Sequence, residues 1–168
     1  PKYLDLAGFA IGLLNETEKE LGLGSRYYPM NIKKNDLLIG LESNGVHSTG
    51  YSLINKILKN MEIKENNDNI NNDLLEYLLK PTHIYVEDIN AIMKDKSGIG
   101  KYIRGMCHIT GGGLIDNVPR ILNEDCTFSI KNYWKIPKIF KWIYKNSDIT
   151  PLEMLKTYNC GVGFVLIL

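Results

Sequence analysis

The sequence predicts an α/β (α+β) domain in which a mixed β-sheet is covered by helices. Three observations carry that reading. Short apolar runs at 37–41, 103–109 and 164–168 are of strand length and are bounded by turn residues. Between them lie stretches whose apolar residues recur every three or four positions, the spacing of a helix with one buried face. The first two runs also lead into glycine-bearing polar loops and then into helical stretches, so strands alternate with helices through most of the chain.

Taken in order, residues 4–14 alternate Leu4, Leu6 and others in a strand-like pattern, and Gly22, Gly24 and Pro29 after them mark an irregular connection. A boundary is expected near residue 30. Asn35 and Asp36 form a turn signal before the strand 37–41, and the helix that follows the first loop places Tyr51, Ile54, Ile57, Leu58 and Met61 on one face, ending near Asn60. The asparagine-rich stretch 62–73 is too polar to pack and reads as a mobile surface insertion. Leu74, Leu75, Leu78 and Leu79 make a short helix that Pro81 ends, because the residue before a proline is pushed out of the helical region. Thr82 is expected to cap a further helix carrying Ile84, Val86, Ile89, Ile92 and Met93. The strand 103–109 enters Thr110-Gly111-Gly112-Gly113, then a helix over 114–121 that Pro119 keeps short. Residues 126–130 read as a strand, Pro137 opens a helix with Ile139, Phe140, Trp142 and Ile143, and 151–156 form one more short helix. Asn159-Cys160-Gly161-Val162-Gly163 opens the terminal strand.

Composition narrows the function classes. At 168 residues the chain is long enough to bury about 70% of its extended surface without staples. Apolar residues at 44% and charged residues at 23% are ordinary for a globular protein, and no apolar window is long enough to span a bilayer. Cys107, Cys126 and Cys160 are odd in number and lack zinc or redox spacing, which points to a reducing cytoplasmic setting. A formal charge of +1 provides no long-range attraction for nucleic acid, so a small anion held by a local site is the better partner. Both ends fall inside or beside apolar runs, and a piece of a longer protein is expected.

The two loops are the candidate site. A strand, a polar glycine loop and a helix together aim unpaired backbone N–H groups and the positive end of the helix dipole at the loop, where the natural guest is an anion such as phosphate. His47 and Ser48 can donate to phosphate or ribose oxygens, and His47 can also assist a proton transfer; its alternative role is to tie down a tight loop. Three adjacent glycines suit either close approach of a ligand to the backbone or a tightly packed turn. Arg120 is a phosphate clamp or a surface charge. His83 and His108 read as structural, His108 as a satisfied core residue in its strand, and no histidine pair has metal spacing. Lys131, Lys135, Lys138, Lys141 and Lys145, interleaved with Tyr133, Trp134, Phe140 and Trp142, raise an RNA or membrane-surface alternative. Their helical spacing is equally that of a solvated face opposite a buried aromatic one.

Assembled, these stretches resemble the AIR synthetase family, the phosphoribosylformylglycinamidine cyclo-ligases. The matching motifs are Asp5-Leu6-Ala7-Gly8-Phe9, Ser43-Asn44-Gly45-Val46-His47-Ser48-Thr49-Gly50-Tyr51-Ser52-Leu53, Pro81-Thr82-His83-Ile84-Tyr85-Val86 and His108-Ile109-Thr110-Gly111-Gly112-Gly113. Asn117-Val118-Pro119-Arg120, the spacing of Trp134, Pro137, Phe140 and Trp142, Glu153-Met154 and Asn159-Cys160-Gly161-Val162-Gly163 extend the match. The resemblance implies that 1–30 is the last strand and connection of an N-terminal ATP-binding domain and 31–168 a C-terminal domain that lacks its final helix and strand. It implies ATP-dependent ring closure of formylglycinamidine ribonucleotide in purine biosynthesis, with ATP and Mg2+ held mainly by the N-terminal domain, and a homodimer without nucleic-acid or membrane partners. The ribonucleotide is then expected to touch Ser43, Asn44, Gly45, Ser48, Thr49, Gly50, Thr110, Gly111, Gly112, Gly113, Arg120 and Asn159, with His47 as the catalytic candidate. Thr49 and Tyr158 depart from the asparagine and phenylalanine usual in the family. A divergent or non-catalytic phosphate-binding module of the same superfamily is the competing reading.

Overall fold

A computed structural model describes residues 7–13, 31–65, 72–95 and 97–168 of the chain. Among the described residues three strands form the sheet: β1 (Leu38–Glu42), β2 (Gly105–His108) and β3 (Val162–Ile167). Their order is β1-β3-β2, and β3 runs antiparallel to both neighbours. Leu38 and Gly105 both lie opposite Ile167, while Glu42 lies opposite Val162 and His108 opposite Phe164. β1 and β2 therefore point the same way and end together, beside the start of β3. That common end is where the first two strands release their glycine loops.

Among the described residues six α-helices cover the sheet and extend beyond it: α1 (Tyr51–Glu65), α2 (Asn72–Leu79), α3 (Val86–Lys94), α4 (Gly113–Asn117), α5 (Lys138–Lys145) and α6 (Pro151–Thr157). The α+β class with helices over a sheet is as the sequence indicates, but the described sheet is antiparallel rather than mixed, because β3 inserts between β1 and β2 and keeps these two parallel strands from pairing. Alternation along β2 and β3 sends Cys107, Val165 and Ile167 into one apolar cluster with Ile109, Leu114 and Val118. A second cluster gathers Ile54 and Ile57 of α1, Leu78 of α2, Ile139, Phe140 and Ile143 of α5, and Met154 of α6 around Val46 and Tyr158. Because Val46 belongs to the first loop and Tyr158 to the connection before β3, this second core fixes the loop end of the sheet from outside.

Several expectations need correction. Residues 7–13 form no strand: Phe9, Ile11 and Leu13 are exposed and no described residue approaches Gly8 or Gly12, so among the described residues the segment lacks the neighbour a strand requires. The rest of the expected 4–14 strand lies outside the described residues. α1 runs to Glu65, well past Asn60, and α2 already begins at Asn72; of the expected insertion, 66–71 lie outside the described residues. Thr82 does not cap α3, which starts three residues later than that cap requires, after an uncapped Tyr85. Residues 126–130 are irregular, because Phe128 anchors them on the first cluster and no strand runs beside them. Pro137 occupies the residue before α5, whose first turn bonds back to the Pro137 carbonyl. The exposed lysines of α5 stand opposite its buried Ile139, Phe140 and Ile143, as a solvated face does.

Candidate functional site

The first loop, 43–50, is built by side chains that bond inward. Asn159 is buried; its Oδ1 accepts from Ser43 Oγ at 2.7 Å and from the Gly161 N–H at 2.8 Å, and its Nδ2 donates to the Gly45 carbonyl at 2.9 Å. Asn159 thus ties the loop to the entrance of β3. Asn44 Nδ2 donates to the Pro81 carbonyl at 3.0 Å, and Thr49 Oγ1 donates to the Val46 carbonyl at 2.8 Å. Ser48 is the exposed hydroxyl of this loop, 3.2 Å from Thr82 Oγ1. Thr82, expected as a helix cap, instead meets the first loop.

His47 is 5% exposed and sits in the left-handed region at φ 52°, as does Ser48 at φ 58°. Such conformations cost non-glycine residues of order 1–3 kcal/mol and persist only where their surroundings hold them. Here Nε2 lies 2.6 Å from Asn44 Oδ1 and 3.2 Å from the Asn44 backbone N, so Asn44 offers this nitrogen a partner in either tautomer, while Nδ1 is buried without a partner among the described residues. Burial first, then the nearby His108 and His83, lower its pKa to about 4, so the ring is neutral at pH 7. His47 thus bonds within its own loop, an arrangement compatible with its alternative role of tying down a tight turn.

The second loop, 110–113, is shaped by Asn117, a buried residue that the motif contains but that sequence reasoning did not single out. Its Nδ2 donates to the carbonyls of Thr110, Gly111 and Gly113 at 3.3, 3.2 and 2.8 Å, and its Oδ1 accepts from Thr110 Oγ1 at 3.3 Å and Arg120 Nη1 at 3.2 Å. The three glycines then separate by role. Gly113 packs where a Cβ would collide with the Leu155 carbonyl, and Gly112 (φ 103°) leaves room for Asp116, whose Oδ2 lies 3.2 Å from where a side chain would begin. Gly111 is exposed, with nothing within 4 Å of its Cβ position. It is the glycine around which space is open for a ligand.

Tyr158 joins the two loops. Its hydroxyl donates to the Gly50 carbonyl at 2.9 Å, its ring fills the space a Gly50 side chain would need, and its own carbonyl lies 2.8 Å from the Cβ position of Gly113. Phenylalanine, usual at this position in the family the sequence resembles, lacks that hydroxyl. Thr49 and Tyr158 therefore both act internally at the mouth of α1. On the other side, Tyr85 donates to the Glu42 carbonyl at 2.7 Å and stands over Gly163, where a Cβ would also come within 2.7 Å of His47 Cε1. Nothing in its spacing signals this role for Tyr85. A separate cleft of about 880 Å3 runs along β1 beneath residues 127–135 and shares Ser43 and Gly161 with the first loop and its anchor.

Comparison with known proteins decides the family. The family model described as AIR synthase related protein, C-terminal domain, matches residues 33–168. The chain belongs to that family. It is 46% identical over 165 residues to the phosphoribosylformylglycinamidine cyclo-ligase of Pseudothermotoga lettingae, covering 97% of this chain and 45% of the relative. It is 44% identical over 167 residues to that of a Thermoanaerobacter species and 42% identical over 166 residues to that of Neisseria meningitidis, covering 97% of this chain each time and 46% and 44% of those relatives. The AIR synthase domain thus spans less than half the length of the cyclo-ligases it matches. No helix among its described residues is long and apolar enough to cross a membrane.

Proposed function

We propose that this domain holds the phosphoribosyl part of phosphoribosylformylglycinamidine at the common end of β1 and β2, as the ribonucleotide-binding half of an ATP-dependent cyclo-ligase. The observation that carries the proposal is the emergence of loops 43–50 and 110–113 at one end of one sheet, bridged by Tyr158. Open sheets offer ligands that end, where loop and helix-start N–H groups cluster. Ser48, the backbone at Thr110 and Gly111, and the exposed Arg120 are the groups left facing outward. Ser43, Asn44, Gly45, Thr49, Gly50, Gly112, Gly113 and Asn159 shape the loops that present them.

The Asp116 carboxylate beside Gly112 repels phosphate at the second loop and can accept from ribose hydroxyls. We therefore place the phosphate nearer Ser48 and α1, and the sugar nearer Gly111. What these residues supply is orientation of a flexible substrate and donors to its negative charge, which lowers the barrier without covalent chemistry by the protein. ATP would supply the activating phosphoryl group. Among the described residues no cluster of three or more His, Cys, Asp or Glu side chains is arranged to hold a metal ion; in this reading ATP and Mg2+ would be held mainly by an N-terminal domain. The domain boundary near residue 30, the homodimer and the cytoplasmic setting belong to the same proposal. The free Cys107, Cys126 and Cys160 fit a reducing compartment.

The test compares affinity for phosphoribosylformylglycinamidine with affinity for the same compound lacking its phosphate. Loss of one charge-assisted hydrogen bond costs about 1.5–3 kcal/mol, so the dephosphorylated compound should bind at least roughly tenfold more weakly. Equal affinities would remove the phosphate from this site.

A further inference from the structure

All three histidines of the chain, which lie far apart in sequence, gather around Tyr85. The His83 ring meets Tyr85 edge-on at 4.5 Å, His108 at 5.9 Å and His47 at 6.1 Å, and Phe164 adds a ring 5.3 Å from Tyr85. Their surroundings differ in a way that sorts them. His47 is buried and bound to Asn44, and His83 bonds to Asp88 Oδ2 at 2.7 Å. His108 is exposed, its ring nitrogens have no partner among the described residues, and it lies flat against Phe164 at 5.9 Å and 24°. The expectation of a satisfied core histidine is therefore overturned: Cys107 and Ile109 on either side of it take the inward positions, and alternation along the strand turns His108 to the opposite face.

That face leads to the proposed site. His108 is the last residue of β2, directly before Ile109 and the Thr110–Gly113 loop, and Tyr85 links it to His47 in the first loop. A free imidazole offers one donor and one acceptor, and its flat contact with Phe164 fixes the ring plane without using either nitrogen. We propose that His108 is the imidazole that contacts the bound ribonucleotide, while His47 is a positioning residue that holds the first loop in its strained form. Tyr85 and Phe164 are the platform that orients His108. The proposal rests on the ribonucleotide reading above and adds to it a contact on the second face of the sheet.

With only three histidines, their ring Cε1–H signals can be followed individually by NMR as phosphoribosylformylglycinamidine is titrated into the 168-residue chain, with each signal assigned by substitution. The expected result is a saturable shift of the His108 signal larger than that of His83. His108→Gln should weaken binding at least tenfold with an unchanged melting temperature, since the ring is exposed and unbonded, and Lys138→Ala should bind as the wild type does. If the wild-type chain binds and Gly111→Val loses binding, but the His108 signal stays still and His108→Gln binds within twofold, the site stands and the role of His108 is overturned. If no histidine signal moves and no ligand binds at millimolar concentration, both readings fall together.

Discussion

At the residue scale, His47 makes a prediction whose sign follows from its burial. Its pKa falls from an ordinary 6.5 to about 4 in the folded chain, so below pH 6.5 the unfolded state takes up a proton that the folded state does not. Stability from this group is fully present above pH 6.5 and is lost progressively as the pH falls toward 4. A tenfold difference in proton affinity between the two states is worth about 1.4 kcal/mol, so the loss should reach no more than about 3.5 kcal/mol. Partial desolvation lowers the His108 pKa in the same direction, but its exposure to solvent makes this a minor contribution beside that of His47. Urea unfolding at pH 7 and pH 5 checks this: wild type should lose stability between them, and His47→Gln should lose less. A wild-type curve that is flat over that range, or a variant that keeps the full slope, contradicts the buried neutral ring.

At the scale of elements, α6 carries its own start signal. Thr150 Oγ1 accepts from the Glu153 N–H at 3.2 Å, while the Glu153 carboxylate accepts from the Thr150 N–H at 2.9 Å and holds its own pKa low through those bonds. Thr150→Ala should cost about 1 kcal/mol, measured by denaturant midpoint, and loosen the anchorage of Tyr158 one residue beyond the helix; a cost near zero would mean α6 is held by packing alone. Local signals of this kind made the elements readable. The β1–loop–α1 and β2–loop–α4 units, the end of α2 before Pro81 and α6 at Pro151 all follow from apolar period and turn chemistry. The misses have a common physical cause, which is that a strand depends on a partner distant in sequence. Residues 7–13 and 126–130 have strand-like composition and no strand beside them among the described residues, and Thr82 is a good cap whose hydroxyl is taken up beside Ser48. The site was legible as two loops and illegible as a distribution of labour within them. Nothing in the local sequence says that Asn159 and Asn44 spend their amides inside the fold, that Asn117 and Tyr158 organise both loops, or that His108 is turned outward.

At the scale of the whole molecule, one cluster lies against a face of the sheet and the other clamps the loops from outside, so the groups proposed to meet the ligand stand on a supported rim. This domain corresponds to less than half of each cyclo-ligase it resembles. We accordingly expect the purified 168-residue chain to bind the ribonucleotide without hydrolysing ATP or closing the ring, and turnover by it alone would contradict the division of roles. Everything proposed for the site depends on the rim formed by the two loops binding the phosphoribosyl group. Gly112→Val is a poor probe of that binding, because a side chain there would strain a left-handed backbone and strike Asp116 Cβ at 2.7 Å. Gly111→Val is the direct one, because nothing lies within 4 Å of the new side chain's first atom and the fold has no reason to change. The deciding measurement is the dissociation constant for phosphoribosylformylglycinamidine of wild type, Gly111→Val and Lys138→Ala, taken beside their melting temperatures. Gly111→Val should weaken binding at least roughly tenfold, with melting unchanged and Lys138→Ala equal to wild type; Gly111→Val binding as tightly as Lys138→Ala would show that the rim is not where the ribonucleotide sits.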